Sequence, residues 1–385
     1  MRIVLSFAVA MCATAGCASL VGERPRVDSP ETASFDEVRN IILMIADGAG
    51  VGLWTAAKYA DDQLAVTRMP VTGLVDTRSA MHKVSDSAAG ATVYATGERT
   101  MNRTISVGPA AACPLPQSRD PKERPWPAGC EPLTTWFEVA RDKGRATGIV
   151  TTTFVVDATA AAFVAHSPSR YWSEALALQF ADFGLDVLLG GGERDFAAGT
   201  RADGRDVLGE MCRRSRCLAS ADELRTYRAD DRPLVGLFAR ADMDEFDPRP
   251  AGLPDMVEAA LEKLDRGPDG FVAMFETEAT DNATHANAPL ERVTADLLEF
   301  DRAVAAVLDF ASRSPGTLVI VTADHETGGF SLVEAGNDFE LTYANRGHSA
   351  AMVPLFAIGP QSERFGGLRE NYEIGRTLME IVRAW

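Results

Sequence analysis

The sequence predicts an α/β protein: a three-layer α/β/α sandwich built on a large, mostly parallel central sheet. Three observations carry this. Short apolar runs recur along the chain, amphipathic segments separate them, and the runs lack the polar alternation of a half-exposed strand. With 385 residues, 46% of them hydrophobic, there is enough apolar surface for one large core. The first run, Val38–Ala46, stops at Asp47-Gly48. Similar runs follow at Ala146–Thr153, Asp186–Leu189, Leu234–Phe238, Gly270–Phe275, Thr317–Ala323 and Val353–Ile358. Between and after them, Leu133–Lys143, Leu253–Leu264, Leu290–Ser312 and Asn371–Trp385 fit amphipathic helices. In such sheets ligands gather beyond the carboxyl ends of the strands, and Asp47, Glu276 and Asp324 each fall at or just past such an end.

The N-terminus reads as an export signal. Arg2 precedes the apolar run Ile3–Met11, which is too short to span a bilayer and is followed by small residues. Thr14-Ala15-Gly16-Cys17 resembles a lipoprotein cleavage box, with Thr14 where leucine is usual, and Ala13-Thr14-Ala15 suits an ordinary signal peptidase. Residues 1–16 are therefore expected to be a signal peptide and 17–35, which contain Pro25 and Pro30, a tether with a lipid anchor at Cys17. Residues 36–385 form the folded domain. The expected location is the periplasm, or the outer membrane through the lipid anchor.

Removing Cys12 and lipidating Cys17 leaves Cys113, Cys130, Cys212 and Cys217, two locally spaced pairs. In an oxidising compartment they suggest disulfides Cys113–Cys130 and Cys212–Cys217, with the other two pairings still open. The stretch Gly108–Pro132, with seven prolines and two cysteines, reads as a stapled surface loop. A net charge of −17 argues against a nucleic-acid-binding surface. Bound cations can still invert that sign locally and admit phosphate.

The chemistry concentrates in a few places. Only five histidines occur, and three sit beside carboxylates or in a flexible loop near a strand. Asp281-Asn-Ala-Thr-His285 spaces two ligands by four, one turn of helix apart. Asp324-His325 lies where the apolar run Thr317–Ala323 ends, and His348 stands in Arg346-Gly-His-Ser-Ala350. Mixed His and Asp ligands without cysteine suit zinc in an open, catalytic site. Asp86-Ser87-Ala-Ala-Gly-Ala-Thr92 leads into a helix over Ala88–Ala95, and Ser87 stands at its N-terminus, where free N–H groups favour an anion. Taken singly, Ser87 reads as an N-cap, Arg170 as a solvated arginine and His348 as a loop histidine. His82 and His166 read as structural.

Asp47-Gly, Asp86-Ser-Ala-Ala-Gly-Ala-Thr, Asp157-Ala-Thr, Glu276 with Asp281 and His285, Thr322-Ala-Asp-His and Gly347-His348 occur in the order seen in alkaline phosphatases. The resemblance runs from about residue 38 to about 360 and makes 36–385 an alkaline phosphatase-like catalytic domain. It implies hydrolysis of phosphate monoesters through a phosphoserine on Ser87, with two zinc ions and one magnesium ion. One zinc would be held by Asp281, His285 and His348, the other by Asp47, Asp324 and His325 with Ser87. Magnesium would take Asp47, Thr159 and Glu276, with Asp157 reaching it through water. Arg170 would bind the phosphate, with Asp86 orienting its guanidinium. The family also implies a homodimer. Asn282 departs from the best-known bacterial pattern, which has lysine there. A phosphodiesterase or nucleotide pyrophosphatase on the same fold would commonly use threonine as nucleophile, and a sulfatase would need a Cys-x-Pro-x-Arg segment that is absent. A surface lipoprotein that binds zinc or phosphate without turnover would be expected to have lost the nucleophile or a ligand, and neither is lost.

Overall fold

The computed structural model describes residues 37–113, 126–245 and 248–385. Signal peptide 1–16, tether 17–35 with Cys17, and the middle of the proline-rich loop lie outside the described residues. Ten strands form the main sheet. From edge to edge they are Gly367–Glu370, Val71–Asp76, Val353–Ile358, Thr317–Thr322, Asn40–Ala46, Phe271–Thr277, Ala146–Phe154, Val187–Gly191, Leu234–Leu237 and Arg216–Leu218. Only Val353–Ile358 runs antiparallel to both of its neighbours, and every other pairing is parallel.

The central strands are apolar because both faces are covered. Every residue of Asn40–Ala46 and of Phe271–Thr277 is buried. Each fully buried Val, Ile, Leu or Phe adds about 1.5–3 kcal/mol of transfer free energy. Helices flank the sheet in two groups. Val51–Ala60 and Leu253–Leu264 pack against Leu290–Arg313, while Ser87–Thr96 packs against Ala158–Val164 and Asn371–Ala384.

Helix Leu290–Arg313 buries Val293, Leu297, Phe300, Val304, Val307 and Leu308, the spacing of one helical face. Trp136–Asp142 starts at a capping box in which Thr135 and Glu138 exchange hydrogen bonds. The structure joins Cys113 to Cys130 and Cys212 to Cys217, as the local spacing suggested.

Three strands of the main sheet escaped the sequence reading. Val71–Asp76 is half-exposed and interrupted by Gly73, and the two edge strands are short and carry arginine. Helix Val51–Ala60 was missed as well, since it starts only five residues after the first strand ends and its Gly50 N-cap offers no side chain.

Candidate active site

Four neighbouring strands deliver acids to one rim. Ile45 lies level with Glu276 on one side and Thr322 on the other, so Asp47, Glu276 and Asp324 emerge together. Asp157 follows the next strand along, Ala146–Phe154. Gly48 permits the turn after Asp47. Its φ is +71°, and a Cβ there would stand 2.8 Å from both Asp281 Oδ1 and Thr327 Oγ1. Helix Ala279–His285 carries Asp281 and His285 one turn apart, and a two-residue ladder between Glu326–Thr327 and His348–Ser349 brings in His348.

Two ligand-like groups result. In the first, His285 Nε2 is 3.1 Å from Asp281 Oδ2 and 3.1 Å from His348 Nε2. Both imidazoles turn Nδ1 to backbone carbonyls, His285 to Arg346 and His348 to Ser85. A carbonyl only accepts, so Nδ1 of each ring carries a proton and the two Nε2 atoms are turned toward each other. Two Nε2 atoms that face each other beside a carboxylate offer a place for a cation, whether a metal ion or a proton. The Asp281 hydrogen bond lifts His285 to about 9. Burial opposes ionisation of Asp281, but the hydrogen bond from His285 and the charge of that ring hold it at about 2.

In the second group, His325 Nε2 is 3.1 Å from Asp324 Oδ2 and 3.5 Å from Asp47 Oδ1, and all three residues are fully buried. Neither contact completes a hydrogen bond, so both carboxylate oxygens are left without one. Burial, then repulsion from a neighbouring carboxylate (Asp324 on Asp47, Asp281 on Asp324), pushes Asp47 well above the usual range and Asp324 to about 7. Burial also depresses His325 well below its ordinary value, favouring the neutral, lone-pair-bearing ring that a metal requires. The His325 and His348 rings stack at 3.6 Å, which sets the two groups side by side.

Oxygens of Asp47, Glu276 and Glu278 form a third group, each within 4.8 Å of the others. Burial drives Glu276 up to about 8, and the Thr151 and Thr159 hydroxyls favour its charged form without completing hydrogen bonds. Thr159 Oγ1 donates to Asp47 Oδ2 at 3.5 Å. Glu278 was missed in the sequence, although a signal existed: it stands two residues after Glu276, and alternate residues of a strand share a face.

Ser87 lies beside the second group. Asp86 caps helix Ser87–Thr96 by accepting from Ala89 N, so the cap is Asp86 and not Ser87. The Ser87 hydroxyl is thereby free of helix capping, and its Oγ sits 3.3 Å from His325 Nε2. The helix can approach this closely because Gly90 rests on the backbone of Asp324. Arg170 donates to Asp157 Oδ1 at 2.9 Å and more weakly to Asp86 Oδ2 at 3.4 Å. Burial works against its charge, and the carboxylates of Asp157 and Asp86 more than restore it. Asp157, expected to reach a metal through water, thus serves first as the anchor of Arg170. Asn282 turns its amide to Asp242 at 3.2 Å. His166 bridges Ser106 O and Glu138 Oε1, the structural role expected of it.

The orphaned, buried oxygens and facing imidazole nitrogens match the donor sets of a multi-metal hydrolase: mixed N/O for zinc, all-oxygen for a harder cation. The model for alkaline phosphatase matches residues 38–341. Streptomycin-6-phosphate phosphatase of Streptomyces griseus is 32% identical, covering 97% of this chain and 95% of its own length. Alkaline phosphatase 3 of Bacillus subtilis is 30% identical over 90% of each. A mutant of the alkaline phosphatase from the Antarctic bacterium TAB5, solved with Mg bound in the M3 site, superposes with a TM-score of 0.77. It is 29% identical and covers 90% of this chain and 98% of that one. The chain belongs to the alkaline phosphatase family.

Proposed function

We propose that the protein hydrolyses phosphate monoesters through a phosphoserine on Ser87 and releases inorganic phosphate. The observation that carries this reading is the placement of Ser87 Oγ, 3.3 Å from His325 at the end of a buried helix. Asp281, His285 and His348 would hold one zinc ion, and Asp47, Asp324 and His325 a second, beside Ser87. Magnesium would lie among Asp47, Thr159 and Glu276, with Asp157 close by. Bound there, these cations would lower the pKa of coordinated oxygens and offset the charge that builds on the attacking and leaving groups.

The chain's own groups do the rest. Arg170 presents two guanidinium nitrogens in a plane and grips phosphate oxygens, held in aim by Asp157 and Asp86. The first N–H groups of helix Ser87–Thr96 add a favourable field for an anion. Ser87 Oγ forms a bond to phosphorus as the ester oxygen leaves with its alcohol. Water then cleaves the phosphoserine, returning Ser87 and freeing phosphate.

Ser87→Ala should lower turnover of a chromogenic phosphomonoester at least roughly a thousandfold while zinc content stays at the wild-type value. Wild-type enzyme quenched in acid during turnover should carry phosphate on Ser87. A variant with near-normal rates would sink the reading. The N-terminal residues support export with a lipid anchor at Cys17, which radiolabelled fatty acid would reveal. Among the described residues no helix is long and apolar enough to cross a membrane. A homodimer, as in the family, is checked by sedimentation.

A further inference from the structure

Glu278 is a residue for which the mechanism has no use as it stands. It follows the last residue of strand Phe271–Thr277 and precedes helix Ala279–His285, yet its side chain caps nothing. Its N–H is satisfied by Thr152 Oγ1 at 3.0 Å. Its carboxylate is not: the residue is 9% exposed, and Oε2 is buried without a hydrogen-bond partner. A carboxylate is rarely buried unless paired, because removing its charge from water costs several kcal/mol. The nearby cation, Arg170, is already committed to Asp157 and Asp86.

The acids around that carboxylate are acceptors as well. One oxygen each from Asp47, Glu276 and Glu278 lies within 4.8 Å of the other two. Ligands about 2.1–2.4 Å from a hexacoordinate ion stand up to about 4.2–4.8 Å apart across it, so a single magnesium- or calcium-like cation can serve all three. Hydrogen bonds cannot, since none of these groups donates when ionised.

We propose that Glu278 is a direct ligand of the third cation, in the place where Asp157 would otherwise act. The inference rests on the proposed three-metal reading of the site. It divides the work between the two acids: Glu278 faces the cation with Asp47 and Glu276, and Asp157 stays on Arg170. Three carboxylates also make this an all-oxygen, strongly anionic site, which selects hard dications over zinc.

The test uses zinc-loaded enzyme titrated with magnesium, reading the thermal midpoint and the bound metal by mass spectrometry. Glu278→Gln keeps the shape and removes the charge, and Glu278→Ala removes the ligand. In both, zinc content should hold while the half-saturating free magnesium rises at least about tenfold, the range that even outer-shell partners of a metal command. Asp157→Asn should move it less. Crystals of the unmodified protein soaked in manganese should give an anomalous peak within bonding distance of Glu278 Oε2, a result that depends on no variant folding. Wild-type magnesium affinity in Glu278→Gln, or a manganese peak remote from Glu278, overturns the assignment of Glu278 alone. A wild-type protein with no saturable magnesium response overturns the third site itself, leaving the Ser87 chemistry to its own assay.

Discussion

Arg170 enters the site already charged and already aimed, because Asp157 takes one guanidinium nitrogen at 2.9 Å and Asp86 the other at 3.4 Å. Arg170→Ala should therefore weaken inhibition by inorganic phosphate by about 1.5–3 kcal/mol, or about 10- to 150-fold, and slow turnover without stopping it. Arg170→Lys should recover little, since a point charge cannot reproduce the planar fork. Unchanged phosphate inhibition in the alanine variant would show that the guanidinium does not meet substrate. A second pair makes a pH-dependent claim. Burial favours the uncharged forms of Glu138 and His166, but their mutual hydrogen bond lowers Glu138 below 4.5 and raises His166 above 6.5. The Glu138 contribution is complete above about 4.5 and lost as pH falls through its lowered value. That of His166 is complete below about 6.5 and lost as pH rises through its raised value. Glu138→Gln, which retains an oxygen for the Thr135 cap, should cost up to about 1 kcal/mol, chiefly between those limits. Denaturant midpoints from pH 4 to about pH 8 check this; a difference flat across that span contradicts it.

Helix Ser87–Thr96 shows how an element places a reactive atom. All ten of its residues are buried, Asp86 caps its start and Gly97 ends it in the left-handed region at φ +76°. Alanine at Gly90 would gain up to about 1 kcal/mol of helix propensity. Its Cβ, however, would lie 2.8 Å from the carbonyl oxygen of Asp324, which is backbone and cannot swing aside. Gly90→Ala should thus destabilise the fold by about 1–3 kcal/mol and reduce turnover, because the helix must lift Ser87 away from His325. Equilibrium unfolding and phosphomonoester kinetics measured together check it; a variant that is both more stable and fully active would refute the contact. The small residues after Ser87 made this close packing legible in the sequence. The identity of the cap was not, since Asp86 and Ser87 are both good caps and only the fold shows which of them turns to Ala89 N.

At the scale of the whole molecule, the site is a concentration of buried negative charge on a protein of net charge −17. Asp47, Glu276, Asp324 and His325 are all 0% exposed, so removing cations should force the three acids either to take up protons or to bear uncompensated charge at the centre of the sheet rim. Exhaustive chelation should lower the thermal midpoint and abolish turnover, and zinc with magnesium should restore both. Each ion present at about a thousand times its dissociation constant adds about 4 kcal/mol. A midpoint indifferent to chelator would mean that the buried acids are neutral and need no metal. The chain's local order already contained much of this. Apolar runs end at Asp47, Glu276 and Asp324, and Asp281 and His285 lie one helical turn apart, because strand ends and helical spacing are short-range properties. The meeting of Ser87 with His325, 238 residues on, was expected only from resemblance, and Arg170 proved to take Asp157 more closely than Asp86. Glu278 gave only a period-two hint. These were decided by strand order and by which faces pack, and a parallel sheet reads the same locally whichever strands become neighbours.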